Sequence, residues 1–142
     1  MKTMIVDASV AIKWFVPEIH AITALRLLDM PVRLMAPDLI FAETGNILWK
    51  KWRRKELSLP DAAAILEDFK QMPLDIAECE PLVEIAWQIA TGYDRTFYDS
   101  LYLALAKSEN GKMVTADRAF YNALHKEALG KSLLWIEDIS KP

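Results

Sequence analysis

The sequence is short of almost everything that cross-links a chain or anchors it. One cysteine, Cys79, stands among 142 residues, so an internal disulfide is excluded and nothing calls for an oxidising compartment. A buried structural thiol is the expected role for it. Only two histidines occur, His20 and His125, and neither has ligand-like spacing; both are expected on the surface. No window reaches the length of a membrane span. The first ten residues carry Asp7 inside their apolar run and lack a cleavage pattern, so they do not read as a signal peptide. A cytoplasmic protein is expected. Positive charge is not in surplus either: the net charge is −3 and the sequence pI about 5.4. That argues against coating nucleic acid by bulk electrostatics. A nuclease is still allowed, because divalent cations in an acidic pocket reverse its local sign.

What is present is the material of a compact fold. The chain is 53% hydrophobic and 26% charged with only 4 Gly, which excludes a disordered tail or a fibre. Five Trp suggest a well-filled core first and an aromatic contact surface second. Apolar runs at Thr3 to Val6, Val32 to Ala36, Leu74 to Ala77, Lys112 to Thr115 and Leu133 to Ile136 predict strands. Helices are predicted between them: after Asp7 to about Pro17, His20 to Asp29, Asp38 to about Lys55, and Ser58 to Gln71. Further helices run from Pro81 to Ala90 with Gly92 as the stop, Phe97 to Ser108, and Asp117 to Ala128. In the third helix Leu39, Ala42, Ile47 and Leu48 mark one apolar side. Strands alternating with helices imply an α/β three-layer sandwich with a central parallel sheet, since parallel neighbours need a crossover and the helix supplies it. No repeat or linker divides the chain, so one domain over residues 1–142 is expected.

Most of the 20 acidic residues need only solvent, but four sit in apolar surroundings. Asp7 follows Met4-Ile5-Val6, Glu43 follows Leu39-Ile40-Phe41-Ala42, Asp99 precedes Leu101-Tyr102-Leu103-Ala104, and Asp117 follows Met113-Val114-Thr115-Ala116. An ionised carboxylate without a partner costs several kcal/mol out of water. Asp7 and Asp117 fall just past the carboxyl ends of predicted strands, the edge where open α/β sheets bind ligands. If those strands are neighbours the two acids converge, with Asp99 near a helix start and Glu43 within a helix completing the ring. Taken singly, Asp7 and Asp117 also suit helix N-caps, and Asp99 suits the positive end of its helix. Four carboxylates in one pocket require cations, and all-oxygen ligation points to Mg²⁺ or Mn²⁺.

The ordered blocks Ile5-Val6-Asp7-Ala8-Ser9, Ala36-Pro37-Asp38-Leu39 continuing to Glu43 and Asn46, Tyr98-Asp99-Ser100 through Ala106, and Val114-Thr115-Ala116-Asp117 with Phe120 resemble a PIN domain across almost the whole chain. The resemblance implies a parallel sheet flanked by helices and an acidic site for Mg²⁺ or Mn²⁺, with Asp7, Glu43, Asp99 and Asp117 as metal ligands. It further implies that Thr115 and Ser9 hold the site by hydrogen bonds. Small stand-alone proteins of this kind are mostly toxins of VapBC toxin–antitoxin pairs. The expected activity is therefore RNA cleavage, the expected partners are RNA and an antitoxin, and the expected assembly is a homodimer. Ala119 stands where some relatives carry a further acid, which puts a fifth ligand, and with it a second metal, in doubt.

Outside these blocks, Trp49-Lys50-Lys51-Trp52-Arg53-Arg54-Lys55 offers cations for phosphates and indoles for unpaired bases. The same cations would complement a helix C-terminus. Lys13 and Arg118 are alternative phosphate contacts. Trp14, Phe15 and Leu27 suit the core first and a dimer or antitoxin contact second. A haloacid-dehalogenase-type phosphatase needs an acid where Ser9 stands, and a response-regulator receiver needs an Asp where Cys79 and Glu80 fall. The remaining alternative is a non-catalytic PIN-like module that only binds RNA or a partner.

Overall fold

Each of the five apolar runs forms a strand. In the computed structural model, which describes residues 1–139, β1 (Lys2–Val6), β2 (Val32–Pro37), β3 (Asp75–Ala77), β4 (Lys112–Thr115) and β5 (Leu133–Trp135) form one sheet. The order is β3-β2-β1-β4-β5 and every pairing is parallel. Residues 140–142, included in the expected domain, lie outside the described residues. Ile5, Val6 and Val114 are wholly buried, as strands covered on both faces must be. The chain builds outward from β1 through β2 to β3, then returns to place β4 on the other side of β1. The switch point therefore falls between β1 and β4.

Among the described residues seven α-helices flank the sheet: α1 (Ala8–Ala11), α2 (Ala21–Asp29), α3 (Leu39–Arg53), α4 (Leu59–Lys70), α5 (Val83–Tyr93), α6 (Phe97–Ser108) and α7 (Arg118–Leu124). Helix α6 lies across β1, β2 and β4, with α5 packed behind it. Its residues from Ser100 to Ala106 are all buried, the pattern of a helix covered on every side. Burying each of Leu101, Leu103 and Leu105 contributes about 1.5–3 kcal/mol, so this central helix resists displacement. Trp14 and Leu27 are core, Phe15 packs against it, and Trp14 Nε1 donates to the Ala24 carbonyl at 3.0 Å. Among the described residues no helix is long and apolar enough to cross a membrane.

Several local expectations are corrected. Gly92 does not stop its helix: α5 passes through it and ends at Asp94, which takes the left-handed conformation (φ 53°) while the Arg95 N–H bonds the Ala90 carbonyl. A short polar side chain tolerates that conformation, so glycine is not needed there. Helix α7 ends at Leu124, short of Ala128, and a 3-10 segment (Ala128–Ser132) follows. Gly130 there packs onto the His125 backbone carbonyl, where a Cβ would collide. In α3 the inward side is Ile40, Thr44 and Leu48, whereas Ala42 faces solvent. Trp14 and Trp135 are buried, but Trp49, Trp52 and Trp87 are 49%, 42% and 62% exposed, so three of the indoles do not fill the core. His20 and His125 are half-buried rather than on the surface: His20 meets Trp135 edge-on and His125 stacks on Tyr121.

Candidate active site

Register places two acids at one sheet edge. Val6 of β1 pairs with Val114 of β4, so the two chains emerge side by side into Asp7 and, just beyond Thr115, Asp117. Each of these residues then caps the following helix. Asp7 Oδ1 accepts from the Val10 N–H at 2.9 Å and from Ser9 Oγ at 2.8 Å. Asp117 Oδ1 accepts from the Phe120 N–H at 3.0 Å, and its own N–H donates to the buried Thr115 Oγ1 at 3.1 Å. The capping role weighed for these two residues is thus real. Among the described residues no donor reaches Oδ2 of either, so one oxygen of each is spoken for and the other is free.

Glu43 comes from the second turn of α3 and Asp99 from the first turn of α6. Thr96 caps α6: its Oγ1 accepts from the Asp99 N–H at 3.2 Å. Threonine three residues before an acid is a capping signal present in the sequence and overlooked there. Tyr102, one turn further along α6, was also overlooked because it reads as core. Its buried hydroxyl faces Glu43 and lies near Asp7, and among the described residues no acceptor completes a well-aligned bond with it. Burial first, then the Glu43 carboxylate, pushes the phenol far above its usual range.

The acids sense one another. Asp7, 8% exposed, has its pKa raised to about 6, chiefly by burial; the Val10 and Ser9 bonds oppose this, and repulsion from Asp99 and Glu43 adds to it. Glu43 is raised by burial and by Asp99, against the lowering contact with Tyr102. Asp99 is raised by burial and by Asp117, against Thr96 and Arg95. Asp7 thus feels the charge of Glu43 and Asp99, Glu43 that of Asp99, and Asp99 that of Asp117. Among the described residues no three His, Cys, Asp or Glu side chains stand in a ready-made ligand cage. The donor set nonetheless fits a hard cation: it is all oxygen, it holds free carboxylate oxygens, and its repulsion is of the kind a cation relieves.

The neighbouring cations divide. Lys13 is buried and paired with Glu18 at 3.0 Å, so it is a brace and not a phosphate contact as anticipated. Arg118 remains exposed beside Asp117, its guanidinium stacked 3.7 Å over the Trp135 ring. The Cys79 thiol is half-buried, and burial first, then the Asp38 side chain on the β2 side of the same edge, pushes its pKa up.

A parallel sheet with coupled carboxylates at its switch point defines an α/β protein with an acidic ligand edge. The PIN-domain family model matches residues 4–125, and the chain belongs to the PIN-domain family. It is similar to Ribonuclease VapC3 of Pyrobaculum aerophilum, 32% identical over 117 residues that cover 81% of this chain and 89% of that protein. The fold is similar to that of Mycobacterium tuberculosis VapC20, described as a Sarcin-Ricin loop cleaving toxin, with TM-score 0.65 at 20% identity over 85% of this chain and 95% of the other. It is also similar to VapBC2 from Rickettsia felis, solved bound to a promoter DNA fragment, with TM-score 0.63 at 13% identity over 94% and 96% of the two chains.

Proposed function

We propose that this chain is a divalent-metal-dependent ribonuclease, the toxin of a toxin–antitoxin pair, with Asp7, Glu43, Asp99 and Asp117 as its metal-binding and catalytic acids. The observation that carries the proposal is that Asp7 and Asp117 leave paired strands at the switch-point edge, with Glu43 and Asp99 near enough for Asp7 to feel their charge. Kinship with a VapC ribonuclease supports the substrate, RNA, and fold likeness to a VapBC protein supports an antitoxin partner. One cytoplasmic domain over the whole chain, acting as a homodimer, belongs to the same proposal.

Mg²⁺ or Mn²⁺, when bound, supplies Lewis-acid polarisation of a phosphodiester oxygen and acidification of water. The residues do the rest. Asp7 and Asp117 present their free Oδ2 atoms while their Oδ1 atoms hold each side chain in one rotamer. Thr115 fixes the backbone of Asp117, Ser9 fixes Asp7, and the Tyr102 hydroxyl favours the ionised form of Glu43. These restraints keep the acids oriented before substrate arrives, which is where electrostatic catalysis gains its advantage.

The test is cleavage of total cellular RNA by purified protein with Mn²⁺, beside lanes with EDTA and with Asp99→Asn protein. Discrete fragments lost in both controls are expected, with the Asp99→Asn protein fully folded. A folded wild-type protein that neither binds Mn²⁺ by calorimetry nor cuts RNA would leave the non-catalytic binding module as the better account.

A further inference from the structure

The basic stretch of α3 is not used by the site described so far, and the structure says where it points. A groove lined by Glu43, Asn46, Lys50 and Tyr98 runs along α3 away from the acids. A second depression, lined by Trp49, Lys50, Arg53 and Arg54, continues it, with Lys50 common to both. Each holds about 330 Å³, at the small end of the range for ligand clefts. Glu43, Asn46, Lys50 and Arg53 recur at helical spacing, so they form one stripe. At 1.5 Å per residue the stripe spans about 15 Å from acid to last cation, enough for a few nucleotides of an extended strand.

Helix α3 sorts its cations by face. Lys51 turns inward and pairs with Glu18 at 3.4 Å and Glu56 at 3.6 Å. Lys50, Arg53 and Arg54 are exposed, and among the described residues none has a carboxylate partner. Arg53 lies 5.1 Å over the Trp49 ring, which holds its guanidinium in place at the surface. Tyr98, adjacent to Asp99, is 58% exposed. Exposed aromatic faces interleaved with a row of unpaired cations match the alternation of bases and phosphates along a single strand, rings meeting bases and cations meeting the backbone.

We propose that the stripe from Glu43 through Asn46 and Lys50 to Arg53 and Arg54 is the track on which the RNA strand lies beside the cleavage site. Lys50, Arg53 and Arg54 contact phosphates; Tyr98 and Trp49 stack on bases. The proposal rests on the ribonuclease reading for its direction, since the strand must reach the acids.

The test measures binding, without chemistry. Asp99→Asn protein in EDTA is titrated against a fluorescein-labelled single-stranded RNA 12-mer, by anisotropy, over a series of KCl concentrations. Neutralising Lys50, Arg53 and Arg54 to Gln should weaken binding at least tenfold and lower the log–log salt slope by about 2, since each single-strand phosphate contact contributes about 0.7. Tyr98→Ala and Trp49→Ala should each weaken binding about tenfold with the slope unchanged. A charge-matched control, with Lys2, Lys70 and Lys126 changed to Gln, should keep wild-type affinity, and far-UV circular dichroism verifies that every variant is folded. Equal losses in both triple variants, an unchanged slope in the track variant, or no RNA binding by the parent would each overturn the track and leave the end of α3 to a protein partner. RNA cleavage by wild type with an unaffected track variant removes the track and keeps the nuclease. RNA binding along the track by a protein that never cleaves does the reverse.

Discussion

Replacing Asp7 by Asn should stabilise the metal-free protein, and by an amount the structure lets one work out. The Asp7 pKa stands at about 6 in the fold against its ordinary value of 3.8. The difference of roughly two units corresponds to about 3 kcal/mol of destabilisation once the carboxylate is ionised. The sign follows from proton counting. Between the two values the folded protein holds a proton that the unfolded chain has released, so stability falls as pH rises from about 4 to about 6 and stays lowered above that. Asn keeps an oxygen for the Val10 N–H and Ser9 Oγ and removes the repulsion from Asp99 and Glu43. The pKa of about 6 already reflects the Val10 and Ser9 bonds, so their weakening in Asn takes nothing further from the gain. A stabilisation of about 3 kcal/mol is expected at pH 7.5 in EDTA, which for a chain of this size raises Tm by roughly 6–12 °C. Urea unfolding followed by tryptophan fluorescence measures it, at pH 7.5 and again at pH 4. The advantage should vanish at pH 4, where Asp7 is protonated in the native state. With Mn²⁺ at about 100 times its Kd the wild type gains about 2.7 kcal/mol and the order of stabilities narrows or inverts. An Asp7→Asn protein no more stable than wild type at pH 7.5 in EDTA, or one whose advantage ignores pH, would refute the electrostatic account of the site.

Three further outcomes follow from the same geometry. Mn²⁺ affinity, measured by calorimetry, should fall about tenfold per pH unit below about 6, as the cation competes with a proton on Asp7. Thr115→Val keeps the shape of a side chain 1% exposed but leaves the Asp117 N–H without its acceptor; a loss of about 1–2 kcal/mol in urea unfolding is expected, with a lower kcat. Gly130→Ala drives a Cβ into the His125 carbonyl and should cost about 1–3 kcal/mol or more by thermal unfolding, while Mn²⁺ affinity of the folded fraction stays at the wild-type value.

How far the sequence revealed this site depends on whether a signal was local. Asp7 and Asp117 were legible because each follows an apolar strand and opens a helix, two patterns that meet at one residue. That β1 and β4 are neighbours was not legible: alternation of strands and helices dictates parallel pairing, but order β3-β2-β1-β4-β5 depends on long-range packing that no window contains. In α3 the apolar side was legible at Leu39, Ile47 and Leu48, which pack on the core, but not at Ala42, which lines the groove beside Glu43, nor at the buried polar Thr44. Composition counted the tryptophans without locating them, and the three exposed indoles were invisible to it. Tyr102 was hidden for the opposite reason, since a hydroxyl among leucines reads as core until Glu43 is seen opposite it.

The helix cap seen at Asp7 and Asp117 and the metal-ligand role proposed for them need not compete. A carboxylate has two oxygens, and in both residues Oδ1 serves the helix while Oδ2 has no protein donor among the described residues. The cap restrains the rotamer of the side chain, so the free oxygen is held in direction at the sheet edge without any residue dedicated to holding it. The cost appears elsewhere: burial and the facing acids make Asp7 reluctant to ionise, even though two hydrogen bonds favour its charged form. A purely structural cap gains nothing from that arrangement, because a serine or threonine would cap as well and carry no charge into the pocket. Asp7→Ser therefore separates the roles. Its hydroxyl preserves the Val10 bond, so α1 should stay formed and the metal-free protein should be at least as stable as wild type. Mn²⁺ binding and RNA cleavage should both be lost. Cleavage retained in Asp7→Ser protein would mean that Asp7 is a cap and nothing more.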